Sequence, residues 1–553
     1  MFDWRIDMSK ILYRLSKILF LFLMAVVLIL ILFFQGMPYV CKKEFFLPNI
    51  VIATYILLVV GIAFLVCRLW MRSGHMLGKS AISDRVFDRA AACIALCLLA
   101  VDIYISYNIL FINRWDPGAT WEIALFRVNR DWGLPEWTNI YISRYPNNLL
   151  LLLLDTACLK LNGAVGVFTG DYAVMSTIIL DCITISCACF LVYKVLTLHV
   201  KRKYAFGGFL AVVVLCGLSP WMTICYSDSL GVLFPVLTYY LYTKPAGNTR
   251  RKWASQIFAV IICCIGYFIK PQCAIMLIAI VMTEFFNFCK ERKLYQMARP
   301  FLLVALACVC LSVTSSVVTK QYESIGVELN PETKFGMTHF LMMGLNEADG
   351  GMYSQEDVDY SISFETSKER TAANIEKSIQ RLRDMGFLRY MCHLSRKLLT
   401  TYHDGTFAWG MEGDFYARVM DDVNTWMAPF LKSIFYSDGS RHEILKTIEQ
   451  IVWIGVLLFA FAAGFVRQTE ENQADLNILT LSIVGLTLFQ MLFEVRARYL
   501  FLYVPVYCIL ATLGFENLWT GIWRKSGVKR KEKEKKNENA KTESSFVDRY
   551  PLL

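Results

Sequence analysis

Charged side chains stand at the ends of several apolar segments, and Asp116 is the first that could do chemistry. It follows the apolar segment from Ala90 to Ile112 and precedes Pro117. A carboxylate at the edge of a low-dielectric layer keeps its charge and still meets a substrate carried in the membrane. The position therefore predicts a catalytic base for lipid-linked chemistry. The alternative is a structural role, since Asp before Pro is also typical of a helix cap.

Cations stand at the ends of other apolar segments. Lys270 separates two of them, and Arg496 and Arg498 directly precede the last one. Displacing a phosphate group needs positive charge near the leaving oxygen, and Arg supplies it through two parallel hydrogen bonds. Asp228, in a turn between two short apolar runs, is a second candidate acid. Asp228 as a simple turn residue, and the cations as side chains that reach for the membrane surface, stay open as alternatives.

The elements that must position these residues are membrane-spanning helices. Hydrophobic residues make up 56% and charged residues 18% of the 553 positions, and the mean hydropathy is +0.45, which excludes an ordinary soluble protein. Runs long enough to cross roughly 30 Å of hydrocarbon lie at residues 18–34, 50–70, 90–112, 173–199, 254–269, 272–289, 299–319, 448–466, 475–493 and 498–520. With shorter runs at 205–219 and 229–243, about twelve transmembrane helices are predicted.

Basic residues in the connections predict the orientation, because Lys and Arg favour the cytoplasmic side. They cluster in residues 68–89, 201–203, 244–252 and 290–293 and in the tail. If all of these are inside, both termini are cytoplasmic, and the run from Leu149 to Leu161 must not cross. Its short length is typical of a re-entrant or interfacial helix. The net charge of +10 then reflects this bias, and no binding of nucleic acid is expected.

The predicted topology gathers the interesting polar residues on the outer face. They lie in residues 113–147, 219–228, 321–447 and 494–499. In the third region, Thr366 and Glu369 predict a capping box before a helix to about Met385. A second helix, basic and amphipathic, is predicted from Phe387 to Tyr402 and suits a membrane surface or a lipid phosphate. His393, on this helix, is expected to be solvated.

These features resemble the GT-C glycosyltransferases, integral membrane enzymes that take a sugar from a polyprenyl-phosphate carrier. The resemblance is to the family 39-like branch of protein O-mannosyltransferases and aminoarabinose transferases, and it covers about residues 90–320 and the final helices. It rests on Asp116 after a transmembrane exit, a short helix led by Pro146, Asp228 in the next outer turn, and residues 497–499 (Ala-Arg-Tyr) opening the last helix. Pro117 stands where the family often has Glu. The absence of an Asn-X-Ser/Thr acceptor favours a bacterial source.

The resemblance implies a glycosyltransferase that moves a sugar, with inversion, from a polyprenyl-phosphate donor to a cell-surface glycan, teichoic acid, lipid or protein. Asp116 would be the catalytic base. The residues implied to bind substrate are Arg144, Asp228, Lys270, Arg496, Arg498 and Tyr499. A divalent cation held by Asp228 is the one cofactor suggested, and orienting the sugar is the alternative role for that carboxylate.

The expected fold class is an all-α polytopic membrane protein, GT-C-like, with a mixed, mainly helical extracytoplasmic segment. The protein is placed in the cell membrane with its active site on the outer face. Its predicted divisions are residues 1–89 (two helices and a cytoplasmic loop), 90–320 (catalytic membrane core), 321–447 (extracytoplasmic domain), 448–520 (C-terminal helices) and 521–553 (disordered basic cytoplasmic tail).

Two other functional classes compete with this interpretation. A lipid-linked polysaccharide polymerase or ligase would share the many helices and the Arg-rich phosphate site without needing Asp116. A transporter would be expected to show inverted repeats and charged residues at mid-membrane. No repeat is visible, and Asp181, the clearest acid deep in a helix, is expected to stand alone.

Overall fold

Apolar sequence forms helices here because a backbone inside lipid must satisfy its hydrogen bonds within its own segment. The computed structural model describes residues 8–34, 47–72, 83–129, 135–291, 294–324, 329–420, 425–470 and 472–521. Two short strands, β1 (Phe111–Ile112) and β2 (Arg418–Val419), form an antiparallel pair. The helices of the described chain are α1 (Met8–Phe33), α2 (Asn49–Arg72), α3 (Asp84–Asn108), α4 (Asp116–Asn129), α5 (Glu136–Arg144), α6 (Leu149–Val165), α7 (Met175–His199), α8 (Arg202–Val212), α9 (Ser227–Leu230), α10 (Leu233–Thr243), α11 (Thr249–Ile269), α12 (Ala274–Glu291), α13 (Leu294–Glu323), α14 (Met337–Gly344), α15 (Gln355–Ile362), α16 (Ser367–Tyr402), α17 (Ala428–Phe435), α18 (His442–Ala463), α19 (Gln473–Leu492) and α20 (Ala497–Gly521).

Within the described residues, eleven helical segments are long and apolar enough to cross a membrane. Ten of them coincide with the long apolar runs of the sequence, and the eleventh is Pro146–Val165, which contains α6. This confirms the all-α polytopic class and the multi-pass membrane location. The predicted disordered tail, residues 521–553, lies outside the described residues apart from Gly521.

The segment around α6 begins and ends at the same end of the bundle. Asn148, just before α6, lies in the site around Asp116 described below. After α6, Asp171 forms an ion pair with Arg418, and Arg418 belongs to the strand that pairs with β1 just ahead of Asp116. The connectivity therefore supports the prediction that this run does not cross. The prediction of a short helix is wrong, since the segment has 20 residues.

The two short predicted runs connect opposite ends of the bundle. We call the end that carries Asp116 the site end, and the end that carries residues 201–203 and 250–252 the basic end. Arg202, opening α8, lies 3.1 Å from Asp88 in the first helix turns of α3, and the chain after α8 reaches Tyr226 at the site end. α10 returns, and its final carbonyls accept hydrogen bonds from Lys252 in α11. With these two helices the path agrees with about twelve crossings.

The segment between α13 and α18 is mainly helical, as predicted. Thr366 Oγ1 accepts from the Glu369 backbone N–H at 3.2 Å, and the Glu369 side chain accepts from the Thr366 N–H at 3.4 Å, which confirms the capping box. The two predicted helices are two arms of α16 that meet at Gly386, where φ is 60° and ψ is −178°. That backbone conformation is essentially restricted to glycine.

Buried aromatic rings fix the loop that follows α16 against the site end of the bundle. The Trp409 and Phe415 rings lie 4.7 Å apart, and Trp221 lies 5.4 Å from Trp409, between ring centres. Phe111 of β1 packs on Phe415 at 5.6 Å. Because interiors of this kind are close-packed, the loop is held in one position, and it carries Glu412 into the site.

Candidate active site

Asp116 opens α4, and two phenols hold its carboxylate. Tyr141 Oη donates to Oδ1 at 3.0 Å, and Tyr226 Oη donates to Oδ2 at 2.9 Å. The Gly118 N–H is instead accepted by Asn113 Oδ1 at 2.9 Å. The helix-capping bond is thus made by Asn113, and the Asp116 carboxylate accepts from the two phenols instead.

The two phenols are fixed hydrogen-bond donors. Burial, followed by the neighbouring Asp116 carboxylate, holds the pKa of Tyr141 and Tyr226 well above the usual range. Asn148 Nδ2 donates to Tyr141 Oη at 2.9 Å, so that oxygen receives one hydrogen bond while it gives another. Asp116 itself is half-buried. The carboxylate is therefore held in one orientation and remains reachable.

Asp228 lies in α9 and is buried between two cations. Lys270 Nζ donates to its Oδ1, and Arg498 Nη1 donates to its Oδ2 at 2.5 Å. These residues come from the turn before α10, the turn after α11 and the start of α20. Charge-assisted bonds of this kind are about twice as strong as neutral ones, so three separate turns are fastened at one point.

Two further carboxylates extend the arrangement. Arg498 Nε donates to Glu412 Oε1 at 3.0 Å. Arg496 Nη1 lies 3.5 Å from Glu412 Oε2, and its Nε lies 3.7 Å from Glu494 Oε1. We call Asp228, Lys270, Glu412, Glu494, Arg496 and Arg498 the ion cluster. It contains three cations and three carboxylates, so its formal charges balance.

Aromatic rings surround the cations of the ion cluster. The Arg498 guanidinium carbon lies 4.8 Å from the Trp115 ring centre, 5.5 Å from that of Tyr226 and 5.1 Å from that of Tyr499. Lys270 Nζ lies 4.3 Å from the Tyr499 ring centre. Ring faces attract cations and exclude water from them. Tyr226 therefore bonds Asp116 with its hydroxyl and packs on Arg498 with its ring.

The chain is unwound between α19 and α20. Residues 494–496 are not helical, and α20 begins with a 3-10 turn at Ala497. Two residues that are two apart on a regular helix would face different sides. The sequence predicts that Arg496 and Arg498 can share a site only if this turn is irregular, and the contact of both with Glu412 confirms that condition.

The loop between α14 and α15, which contains Gly350 and Gly351, holds this turn in place. The Val495 N–H donates to the Gly351 carbonyl at 2.9 Å. Lys397 Nζ donates to the carbonyls of Gly344 at 2.8 Å and Phe493 at 2.6 Å. Gly351 has φ of 78°, and a Cβ there would lie 2.9 Å from the Gly344 oxygen. Only glycine fits so close an approach.

His393 is not solvated, contrary to the expectation from the sequence. It is fully buried, and its Nε2 lies 2.9 Å from the Gly344 carbonyl. Burial lowers the pKa of His393. The basic face of this arm of α16 is also engaged by protein groups, since Arg389 pairs with Glu347 at 2.5 Å. The helix turns much of its basic face to its own protein.

The structure brings together six of the predicted site residues: Asp116, Asp228, Lys270, Arg496, Arg498 and Tyr499. Arg144 lies at the rim, at the last position of α5, where its charge acts on Tyr145. The arrangement around Asp228 does not fit a divalent cation, because both of its oxygens already accept from Lys270 and Arg498. That alternative is corrected in favour of an ion-paired carboxylate.

Four site residues were missed by sequence reasoning: Tyr141, Tyr226, Glu412 and Glu494. Glu494 lies within four residues of both arginines in the sequence, and this spacing could have indicated that it belongs to the site. The tyrosines and Glu412 carried none, since each reaches the site only through packing of distant segments. Burial raises the pKa of Glu494, and the nearby arginines oppose that rise.

Asp181 does not stand alone, contrary to expectation. Asp102 in α3 and Asp155 in α6 are also buried, and both act electrostatically on Asp181. The carboxylate oxygens of Asp102 and Asp181 have no hydrogen-bond partner within the described chain. Asp155 lines a small cavity that also borders Pro117.

This bundle, with its charged site at one end, defines the chain as a polytopic integral membrane protein. Its sequence matches the profile of a family described as conserved hypothetical integral membrane protein over residues 8–519, and the chain belongs to that family. No curated protein and no solved structure matches it.

Proposed function

We propose that the protein is a glycosyltransferase that moves a sugar from a polyprenyl-phosphate donor to a cell-surface acceptor, with inversion, on the outer face of the membrane. The observation that carries the proposal is the arrangement around Tyr226. Its hydroxyl bonds Asp116 at 2.9 Å, and its ring packs on Arg498 at 5.5 Å. A reachable carboxylate and a group of cations thus lie on either side of one side chain.

Asp116 is proposed as the general base. In the reaction, the acceptor hydroxyl gives its proton to a carboxylate oxygen of Asp116 while the acceptor oxygen bonds to the anomeric carbon. The bond from that carbon to the phosphate oxygen breaks, and its electron pair stays on the lipid phosphate. General-base assistance of this kind contributes about 10²–10⁴-fold to rate. The fixed Tyr141 and Tyr226 hydroxyls orient the carboxylate toward the acceptor.

Arg496 is proposed as the principal contact of the leaving phosphate. Its distances to Glu412 and Glu494, 3.5 and 3.7 Å, are longer than those of Arg498 to Asp228 and Glu412, 2.5 and 3.0 Å. Arg496 therefore has hydrogen-bond donors to give to an incoming anion. Arg498 and Lys270 stay with Asp228 and stabilise the developing charge from a distance.

Transport is a second candidate, favoured by the three buried acids Asp102, Asp155 and Asp181. Acids within a membrane bundle are costly and often mark proton or ion pathways. Proton uptake into proteoliposomes, followed with a trapped pH indicator, would be lost in Asp181→Asn if the protein is a transporter. A glycosyltransferase shows no such flux.

The direct test compares Asp116→Asn with Asp414→Asn. Asp414 lies in the loop after α16 that also carries Glu412. Its side chain is exposed and lies 3.9 Å from Arg114. In a deletion strain complemented with each gene, Asp116→Asn should lower transfer by about 10² or more, as loss of a base does. Lipid-linked sugar should then accumulate and surface glycan should fall. Asp414→Asn should restore both.

A second pair of variants separates catalysis from folding. Tyr226→Phe removes one donor to Asp116 and keeps the ring under Arg498, so the carboxylate loses part of its fixed orientation and transfer should slow roughly tenfold. Protein level and melting temperature should stay close to wild type. Normal surface glycan from Asp116→Asn would show that Asp116 is not the base. The polymerase or ligase, which does not need Asp116, would then be the favoured function.

A further inference from the structure

A second cavity lies at the basic end of the bundle, away from Asp116. It has a volume of about 650 Å³, and its lining includes Ala246, Lys252, Trp253 and Arg299. α11 begins at this cavity, and its 21 residues end beside Lys270, so the cavity is roughly 30 Å from the ion cluster. Nothing about it depends on the proposed function.

Arg299, from α13, places a guanidinium at this cavity. Its Nε lies 3.4 Å from Glu284 Oε2. Its guanidinium carbon lies 5.6 Å from the Trp253 ring centre and 6.0 Å from that of Tyr242. One carboxylate and two rings fix the group, and a guanidinium has five N–H donors. Donors therefore remain for an anion in the cavity.

Lys252 adds a second cation to the lining. Its Nζ donates to the carbonyls of Tyr242 at 2.9 Å, Thr243 at 3.3 Å and Lys244 at 3.3 Å, which uses its three N–H groups and fixes the positive charge at the end of α10. The first backbone amides of α11 add the partial positive charge of a helix N-terminus. Asp475 and, to a smaller extent, Glu284 oppose this charge at Lys252. Arg250 and Arg251 lie exposed on the same turn and are not part of the cavity lining.

The surface that leads from the cavity toward the middle of the bundle is apolar and exposed. Ile257 and Phe258 of α11 are 43% and 51% exposed, and Phe301 and Leu302 of α13 are 67% and 56% exposed. α11 and α13 pack side by side, so these side chains form one lipid-facing strip. Trp253 lies between this strip and the cations, and Trp is enriched at membrane interfaces.

We propose that this cavity binds the phosphate group of an anionic membrane lipid. Arg299 contacts the phosphate, the ammonium of Lys252 adds positive charge beside it, and the acyl chains lie along the strip formed by Ile257, Phe258, Phe301 and Leu302. A soluble phosphate compound shares the headgroup chemistry but makes no use of the apolar strip. The strip favours the lipid, and the positive charge favours an anionic lipid over a zwitterionic one.

The test measures lipid retention by the purified full-length protein with native mass spectrometry. Phosphatidylglycerol should be retained roughly ten times more than phosphatidylcholine, and Arg299→Gln should remove most of that preference, since a charge-assisted pair is lost. Ala246→Trp fills the cavity and leaves every charge in place, so it should weaken phosphatidylglycerol retention by a similar factor. Arg250→Gln removes one exposed charge from the same turn and should leave retention unchanged.

Each other outcome counts against the proposal. Equal retention of the two lipids, or an equal loss in Arg250→Gln and Arg299→Gln, would mean that only diffuse surface charge attracts the lipid. Displacement of phosphatidylglycerol by millimolar inorganic phosphate would assign the cavity to a soluble anion. If Arg299→Gln fails to fold because Glu284 loses its partner, Ala246→Trp still decides the question.

Discussion

The guanidinium carbon of Arg498 lies 4.8 Å from the centre of the Trp115 ring. Trp115 directly precedes Asp116, and Arg498 bonds Asp228 and Glu412. A desolvated contact of this kind is worth on the order of 2 kcal/mol. It fixes the distance between the proposed base and the ion cluster, although the two residues come from opposite ends of the chain.

Substitution of the two arginines by lysine should have different effects. Arg498→Lys keeps the charge but loses the planar fork that bonds Asp228 and Glu412 together, so we expect a lower melting temperature and a lower kcat. Arg496→Lys loses only long contacts in the protein, so we expect a near-normal melting temperature and a higher KM for the lipid-linked donor. Unfolding scans and donor titrations on purified protein measure both.

Equal behaviour of the two lysine variants would contradict this division of roles. If both raise KM and leave stability unchanged, Arg498 belongs with Arg496 as a phosphate contact. If both lower stability alone, the leaving group is stabilised elsewhere, and Lys270 is the remaining cation of the ion cluster.

Lys397 should make stability depend on pH. Burial lowers the pKa of Lys397 to about 7, while in an unfolded chain it is near 10.4. Between these values the unfolded chain binds more protons, so this group's contribution to the free energy of unfolding rises with pH. We expect the melting-temperature difference between wild type and Lys397→Met to grow in favour of wild type from pH 7 to 10 and to stay constant below pH 7.

Lys368→Met is the control for this pH dependence, because Lys368 lies exposed on the same helix. Its profile should run parallel to that of wild type. If the profile of Lys397→Met also runs parallel to that of wild type, the pKa of Lys397 is the same in the folded and the unfolded chain, and the predicted pH dependence is wrong.

Gly386→Ala should destabilise the segment between α13 and α18. Gly386 has φ of 60°, and a Cβ there would meet no atom within 4 Å, so the cost is backbone strain alone, about 1–3 kcal/mol. Gly336→Ala also has open space but no positive φ, and it should be nearly neutral. Rates of limited proteolysis in α16, compared between the two variants, measure the difference.

Cysteine labelling with an impermeant maleimide tests the path of the chain. Exposed probes at Glu356 and Asp438 should gain label from outside over the wild-type background, and Lys201 and Arg251 should not. Val167, after α6, decides whether that segment crosses. If Val167 is labelled and Lys201 is protected, the α6 segment returns to the face from which it started. If Val167 is protected and Lys201 is labelled, the α6 segment spans the membrane.

The fold was predictable where hydrophobicity alone decides the structure. Runs such as residues 173–199 and 475–493 can only be satisfied as helices in lipid, and the capping box at Thr366 and Glu369 is a local signal that local contacts fulfil. The length of the α6 segment was underestimated because the apolar run ends at Leu161, whereas the helix continues to Val165 through a mostly exposed stretch around Asn162 that gives no hydrophobic signal.

The site was predictable only in part, for a physical reason. Asp116, Asp228, Lys270 and Arg498 were found because each stands where an apolar segment ends, and helix ends on one side of a membrane meet. Glu412 could not be found this way, since its position depends on aromatic packing in a loop without periodicity. The burial of His393 depends likewise on the Gly344 carbonyl, which lies far along the chain.

The balanced charges of the ion cluster have a consequence for selectivity in a cell. Arg496, Arg498 and Lys270 already face carboxylates of the same protein, so the resting site needs no counterion from the medium. A small anion gains little on entry, because the carboxylates of the fold already balance the cations. A larger molecule gains more, because it adds contacts elsewhere in the site. Such a site would bind common small ions weakly and would select a ligand that is large enough to contact several parts of the site at once.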